Sequence, residues 1–501
     1  MELAQAYDAL PADLVRTLPL VLIVLAGLAA VVIDAFRNNH ASIPWLSVAA
    51  LVVGIVWEAA GLRAPAGTAY FDLIRVGGFA SFVNIVVMGA GVLTILLSVS
   101  YLERIRHHHG EVYALLLFAT AGMMLLGAAN NLIAVFVGLE TMSVCLYILT
   151  GLVREDAGAI ESALKYFLLG AFATGFFLYG IALLYGATGT MYLPAMQEGL
   201  AAGGEALGAS REVLFWAGVA MLLIGFLFKV SAVPFHMWTP DAYQGAPTTL
   251  TGYMSTASKA AAFASLILVL YFALPGERWS LVLAIVALIT MVLGNVLALA
   301  QANVKRMLAY SSIAHAGYVL VGLAAGSTAG YSGALFYLLV YTVMNIGAFG
   351  VMALLEWDGK VGREQTLDSL AGVGFRRPLL GVTMGFFMFS LTGFPPLGGF
   401  LGKYAVFAPA VEAGLTWLVV VGVLASAASG YYYLRVLYVF WMKSPDEEPE
   451  PVRRAAFPVP RVAAAVLVAC AVLLVLLGVT PALLDLTGAF FEGTRAMAGL
   501  P

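Results

Sequence analysis

The sequence predicts an all-α polytopic membrane protein of about fourteen transmembrane helices, with two inverted five-helix repeats that each contain one broken helix. Three observations predict it. The 501 residues are 62% hydrophobic and only 11% charged, too apolar for a soluble fold of this size with a charged surface. Apolar stretches of about 20 residues, the length of a bilayer-crossing helix, recur between short polar connections. Finally, lysines stand inside several of these stretches, where a soluble core or an inert membrane anchor would have none.

In chain order, the spans fall near 17–37, 42–62, 79–101, 112–130, 131–151, 160–186, 211–236, 248–273, 279–300, 305–325, 331–355, 377–410, 415–442 and 461–482. Glu2, Asp8 and Asp13 precede the first run in place of the basic start of a secretory signal, so that run is read as a retained helix. Only Asn130-Asn131 separate the fourth and fifth spans, whereas the seventh and twelfth are overlong and interrupted by proline. The spans group as residues 1–111 (helices 1–3), 112–273 (helices 4–8, the first repeat), 274–442 (helices 9–13, the second) and 443–501 (a polar loop and helix 14).

The distribution of Lys and Arg among the loops sets the orientation. With the N-terminus outside, the inner loops hold Arg37, Arg104, Arg106, Arg154, Lys305, Arg306, Lys360, Arg363, Arg376, Arg377, Lys443, Arg453, Arg454 and Arg461. The outer side receives only Arg16, Arg63, Arg75, Arg211, Arg278 and Arg495. Fourteen against six favours both termini outside the cytoplasm and makes 444–454 an inner solvated loop. A net charge of -3 and the lack of a basic patch with interleaved aromatics exclude nucleic-acid binding. Cys145 and Cys470 lie far apart in apolar runs and read as inert thiols. His107-His108-His109 reads as a solvated loop without the carboxylate or Cys pattern of a metal site, and no Walker, dinucleotide, haem or flavin signature appears.

Five basic residues remain inside apolar segments: Lys165, Lys229, Lys259, Lys403 and Arg435, of which Lys165 and Arg435 stand close enough to an interface to snorkel. A lysine at the bilayer centre costs about 2.5 to 3.5 kcal/mol and usually marks an ion pathway. Glu140 sits in the middle of LIAVFVGLETMSVCLYIL, where a nearby lysine would keep it ionised. Lys229 precedes Pro234, which removes a backbone donor and clashes with the Val230 carbonyl, so the helix should break beside the lysine. Carbonyls freed there would favour the ammonium, burial would oppose it, and Glu140 would tip the balance, which are the properties of a switchable proton carrier. In the twelfth span, Pro395-Pro396 and Gly398-Gly399 break the helix ahead of Lys403. The order of charge and break is reversed, and five helices, an odd number, separate the two, as in secondary transporters built from inverted repeats. Lys259 on helix 8 and Lys165 on helix 6 extend the string, and His236 and His315 are possible relays, each equally open to a packing role.

These segments resemble the antiporter-like subunits shared by respiratory complex I, membrane-bound hydrogenases and multisubunit sodium/proton antiporters. The resemblance rests on GLETMSVCLYIL around Glu140, FKVSAVPFHMWTPDAYQGAPT (228–248), VKRMLAYSSIAHAGY (304–318) and SLTGFPPLGGFLGKY (390–404). Trp238 to Pro247 followed by Thr256-Ala257-Ser258-Lys259 is similar to the N branch of that family. Lys403 also fits that branch, where the M branch typically has a glutamate, and no long lateral helix of the L branch follows the fourteenth span. The resemblance implies a proton channel centred on Glu140, Lys229, Lys259 and Lys403, with Lys165 as an additional family lysine. It also implies a membrane assembly of many chains, with an M-type antiporter-like chain and small K-, J- and A-type chains; the high Ala and Gly content suits a bacterial inner membrane, with an organelle membrane the alternative. No cofactor is expected on this chain; FMN, iron-sulfur clusters and quinone would lie in the partners. A sodium/proton antiporter subunit and a hydrogenase-type membrane arm remain the alternatives.

Overall fold

The computed structural model describes residues 10–37, 41–64, 66–201, 208–274, 278–356, 365–443 and 458–497. Glu2, Asp8, Lys360, Arg363 and the polar segment 444–454, with Arg453 and Arg454, lie outside them. The chain is helical almost throughout. Spans 1 to 6 are α1 (Leu18–Arg37), α2 (Ile43–Gly61), α3 (Gly78–Arg104), α4 (Gly110–Gly127), α5 (Leu132–Thr150) and α6 (Ala157–Thr188). Span 7 is split into α7 (Gly208–Lys229) and α8 (Trp238–Gly245). Spans 8 to 11 are α9 (Thr248–Phe272), α10 (Arg278–Leu299), α11 (Val304–Ala324) and α12 (Thr328–Leu355). Span 12 is split into α13 (Pro378–Thr392) and α14 (Gly398–Glu412), and α15 (Thr416–Met442) and α16 (Arg461–Val479) complete the set. Thirteen described helices are long and apolar enough to cross a membrane; the two 15-residue halves of span 12 make the fourteenth crossing.

Polar caps explain why such short connections suffice. Asn131, in extended backbone, accepts the Ile133 amide at 2.8 Å and starts α5 directly after the turn that ends α4. Asp156, Asn303 and Ser327 cap α6, α11 and α12 in the same way. Helices α9, α11 and α12 form the centre, each 94% buried over its spanning window, whereas α1 and α6 are peripheral at 28% and 33%. The lysine of span 8 and the histidine of span 10 therefore lie on the most enclosed elements.

A backbone bracket recurs across the two proposed repeats. Around the α4–α5 turn, the Leu132 amide donates to Met191 and the Leu193 amide to Asn130. Around the α10–α11 turn, the Val304 amide donates to Gln365 and the Leu367 amide to Ala302. Gly122 of α4 closes on the backbone of Met142 as Gly294 of α10 closes on Ala314. Five crossings separate the paired features, so strict alternation puts the two brackets at opposite ends of the bundle, as an inverted repeat requires.

Three elements depart from the sequence reading. Span 7 extends past 236, because α8 resumes the crossing after the break. A two-stranded hairpin, β1 (Gly67–Ala69) with β2 (Ile74–Val76), joins spans 2 and 3 and is too short to show periodicity. After span 14, the chain forms α17 (Ala482–Met497), which folds back so that Phe490 and Phe491 pack against Phe82, Phe79, Tyr271 and Tyr331.

Candidate functional site

Lys229 is the last residue of α7 and is only 3% exposed. Its Nζ sits 5.3 Å from the ring centres of both Tyr147 and Tyr166 and 6.0 Å from that of Phe228. Trp238, the first residue of α8, stacks on Tyr166 at 4.2 Å and closes the cage. The cation is thus faced by aromatic rings, whose electron-rich faces attract it. The carbonyls freed by the break do not reach it: the amides of Val230, Ser231 and Ala232 take Phe226, Phe228 and Leu227, and the Trp238 indole also donates to Phe228 at 3.0 Å. Lys229 thus stands at the carbonyl end of α7, as expected, but the carbonyls of Phe226, Leu227 and Phe228 are taken by the chain's own turn and by Trp238 rather than by the ammonium. Among the described residues Lys229 Nζ has no hydrogen-bonding partner.

Glu140 is half-buried, and its carboxylate accepts the Thr174 hydroxyl at 2.8 Å. Among the described residues no ion pair joins it to Lys229, whose ammonium is faced by the rings of Tyr147 and Tyr166.

Lys259, 2% exposed, donates to the Ser312 carbonyl at 2.8 Å and to its hydroxyl at 2.6 Å. One turn along α11, His315 bridges two tyrosines, with Nδ1 2.6 Å from the Tyr337 hydroxyl and Nε2 3.0 Å from that of Tyr433, which also meets Ser311. His315 therefore belongs to a hydroxyl-rich network at the centre rather than to plain packing.

In span 12, Gly393 adopts φ 90, a conformation that penalises any Cβ, and ends α13. Gly399 lets α14 approach so closely that a Cβ there would lie 1.8 Å from the Ser390 carbonyl oxygen. That approach delivers Lys403, 6% exposed, to the end of α13, where it donates to Leu391 at 2.9 Å, Thr392 at 2.8 Å and the Ser426 hydroxyl at 2.6 Å. These acceptors include the carbonyl end of a half-helix, the negative end of its dipole.

Lys165, His236 and Arg435 are not brought into the interior. The Lys165 side chain is 46% exposed and pairs with Glu161 at 2.8 Å and Asp241 at 2.9 Å; Asp241 also binds Arg306 at 2.7 Å. These pairs place Lys165 beside α8 at the periphery. His236 lies in the partly exposed break beside Phe235 and Met237 and does not join the central network. Arg435 is exposed.

Sequence reasoning also misplaced or missed buried groups near helix ends. Lys305, assigned to a loop, is fully buried and donates to the Ala246 carbonyl. Glu356 caps the end of α12, 5% exposed, and accepts from Tyr101 and Thr248. Glu58 of α2 accepts Ser81 at 2.6 Å and Asn84 at 2.7 Å and lines a cavity of about 570 Å³ with Trp57 and Arg75. The only available signal was an ionisable residue within four positions of a span's end, which also describes ordinary interfacial residues.

Residues 129–429, which contain Glu140, Lys229, Lys259, His315 and Lys403, match the family described as NADH:quinone oxidoreductase/Mrp antiporter, TM. The chain belongs to this family. Among its members, the Salinibacter ruber (strain DSM 13855 / M31) protein named NADH-quinone oxidoreductase subunit N is 66% identical over 460 residues, covering 91% of each chain. A chain in the structure of respiratory complex I from Thermus thermophilus with bound Aureothin is 34% identical, with a TM-score of 0.80 over 94% of this chain and 99% of that one. A chain of the Mrp complex from Dietzia sp. DQ12-45-1b, 21% identical, shares the fold with a TM-score of 0.80, covering 96% of this chain and 97% of that one. The family's antiporter-like subunits therefore supply the frame in which the buried lysines are to be understood.

Proposed function

We propose that this chain is a proton-translocating, non-redox subunit of the N type in the membrane arm of an NADH:quinone oxidoreductase. The single observation that carries the mechanism is that Lys229, Lys259 and Lys403 are all buried and none has a carboxylate within ion-pairing distance among the described residues. A permanently charged structural lysine would have such a partner, because an uncompensated buried charge is expensive. These lysines instead meet rings, hydroxyls and carbonyls, so modest changes in nearby charge decide whether each holds its proton. A one-unit change corresponds to about 1.4 kcal/mol.

Glu140 acts on Lys229 as the movable or modulated charge, Lys229 passes its proton through water toward Lys259, and Ser312, His315 and Tyr433 bridge toward Lys403, which releases it. Lys165, with Asp241 and Arg306, tunes the field around α8 from the periphery, and His236 has no step here. The basic loops face the cytoplasm of a bacterium, and FMN, iron-sulfur clusters and quinone belong to partner chains, including M-type and K-, J- and A-type subunits. Identity of 66% to a named subunit N supports this assembly over stand-alone sodium/proton exchange, for which the 21% likeness carries fold alone.

The assignment is tested by tagging the chain and extracting it in mild detergent. Co-purification with flavin, iron-sulfur centres and inhibitor-sensitive NADH:quinone reductase activity is expected. Recovery with antiporter-like chains alone, and sodium-dependent proton exchange, would overturn it.

A further inference from the structure

The end of the bundle that carries Arg104, Lys305, Arg376, Arg377 and Lys443 also holds a buried carboxylate in a place where helix electrostatics disfavour one. Glu356 is the C-terminal cap of the 28-residue α12, so it faces the negative end of that helix. A residue that breaks a local rule while fully packed points to a role beyond folding. The surroundings offset the cost. Tyr101 of α3 donates its hydroxyl at 2.5 Å, the Thr248 hydroxyl donates to the other oxygen, and the Thr248 amide donates to Tyr101 at 3.0 Å.

Charged and titratable groups face this carboxylate from each packed element. Arg104 on α3 and Lys305 on α11 lie within electrostatic range of it, with Arg377 at the start of α13 near Arg104 and Asp156 near Lys305, and Tyr101 donates to it directly. Arg104 is itself bonded to the carbonyls of Ala353 and Leu354, the last turn of α12. The result is a buried acid between two cations at one mouth of the bundle.

From that mouth, polar groups continue inward along one face of α9. Thr248, Ser255 and Lys259 are spaced i, i+7 and i+11, which puts them on a single stripe of a 3.6-residue helix. The facing helix α12 supplies their partners: Asn345 donates to Ser255 at 2.6 Å and to the Tyr341 hydroxyl at 2.9 Å. Tyr341 in turn packs on His315 at 5.2 Å, one turn along α11 from Ser312, the residue that holds Lys259. Between Thr248 and Ser255, about 10 Å of helix rise, the stripe carries Thr251, whose hydroxyl is turned to the carbonyls of Tyr243, Ala246 and Pro247.

We propose that Glu356, set between Lys305 and Arg104, collects protons at the basic end of the bundle and feeds them to Lys259 through water along the stripe lined by Thr248, Ser255, Tyr341 and Ser312, with the Asn345 amide holding Ser255 and Tyr341 in place. No proton passes through the Asn345 amide: a proton binds a Glu356 oxygen, leaves it to water, and moves by water past the Ser255 and Tyr341 hydroxyls to the Ser312 end, where Lys259 takes it. This inference rests on the proton-translocation reading above and gives Lys259 a second supply of protons, from the basic end, beside the one from Lys229.

The test uses the intact complex in inside-out vesicles, with Glu356→Gln and Glu356→Asp placed beside Lys229→Ala and Lys259→Ala. Assembly is scored on native gels, and acidification per NADH oxidised is measured across pH. With the collecting carboxylate gone, proton capture should require a higher proton concentration. Glu356→Gln should therefore shift the midpoint of the pumping profile down by about one pH unit at normal assembly. Glu356→Asp should restore the midpoint. A merely structural role would lower the amount of complex without moving the profile. If Gln at 356 prevents assembly, Ser255→Ala, a small change within the stripe, should give a shift of the same sign. Loss of pumping in Lys229→Ala and Lys259→Ala with a wild-type profile in Glu356→Gln, or in Ser255→Ala where that variant is used, overturns this inference alone. Unchanged pumping in both lysine variants overturns the translocation reading, and with it this second supply.

Discussion

The two broken spans use the same device with opposite bookkeeping of polar groups. In span 7, the lysine precedes the break, the freed carbonyls are consumed by neighbouring amides and Trp238, and Lys229 is left in a cage of Tyr147, Tyr166 and Phe228. In span 12, the lysine follows the break and reaches back to the carbonyls of Leu391 and Thr392 and to Ser426. Both breaks place a left-handed residue, Ser231 or Gly393, three positions before a proline, Pro234 or Pro396. The difference shows that a broken helix offers two environments for a cation. One is apolar and responsive to distant charge such as Glu140; the other is anchored by fixed dipoles. The first suits loading that depends on a signal, and the second suits a relay that must hold its place.

Substitutions can break that comparison. The largest effect is expected from Gly399→Ala, whose Cβ would lie 1.8 Å from the Ser390 oxygen, a backbone atom that cannot step aside. Overpacking of this kind should cost about 3 kcal/mol or more and abolish accumulation of the chain in membranes, as read by immunoblot. Next, Lys403→Met should lower the stability of the complex by about 1–2 kcal/mol, since it orphans the acceptors at the end of α13. Lys229→Met removes a desolvated charge and orphans nothing, so it should be neutral or stabilising. The midpoint of thermal loss of intact complex on native gels measures both, and equal destabilisation by the two would erase the distinction between the sites. The smallest effect belongs to a pair outside the spans. Lys443, 2.9 Å from Asp368, holds that carboxyl below its ordinary range. Its contribution is present above the ordinary carboxylate range and fades as pH falls through the lowered value. Because the carboxylate is 88% exposed, Asp368→Asn should leave the thermal midpoint unchanged at neutral pH.

Much of the fold was legible because the bilayer imposes one strong rule, a run of about 20 apolar residues per crossing, and proline marks where a crossing breaks. Lys229, Lys259 and Lys403 stood out for the same reason: a lysine deep inside an apolar run has few inert explanations. Legibility ended where that contrast faded. Lys305 and Glu356 lie within a few residues of helix ends, where charges are common, and only the packing of α3, α9, α11 and α12 shows them to be buried. Lys165 looked like its interior counterparts, but α6 is peripheral, and its neighbours Glu161 and Asp241 hold it on the surface. Partners were harder still to read. Glu140 and Lys229 were paired by type alone, whereas the nearer contacts are Thr174 for the one and tyrosine rings for the other.

The most direct test of proton transfer through these lysines is the acidification of vesicles per NADH oxidised by complexes carrying Lys229→Ala or Lys403→Ala, compared with the unaltered complex at matched assembly. A lowered proton yield in both variants is expected. Unchanged proton transfer per NADH in either would contradict the role assigned to that lysine, and unchanged transfer in both would contradict the central claim.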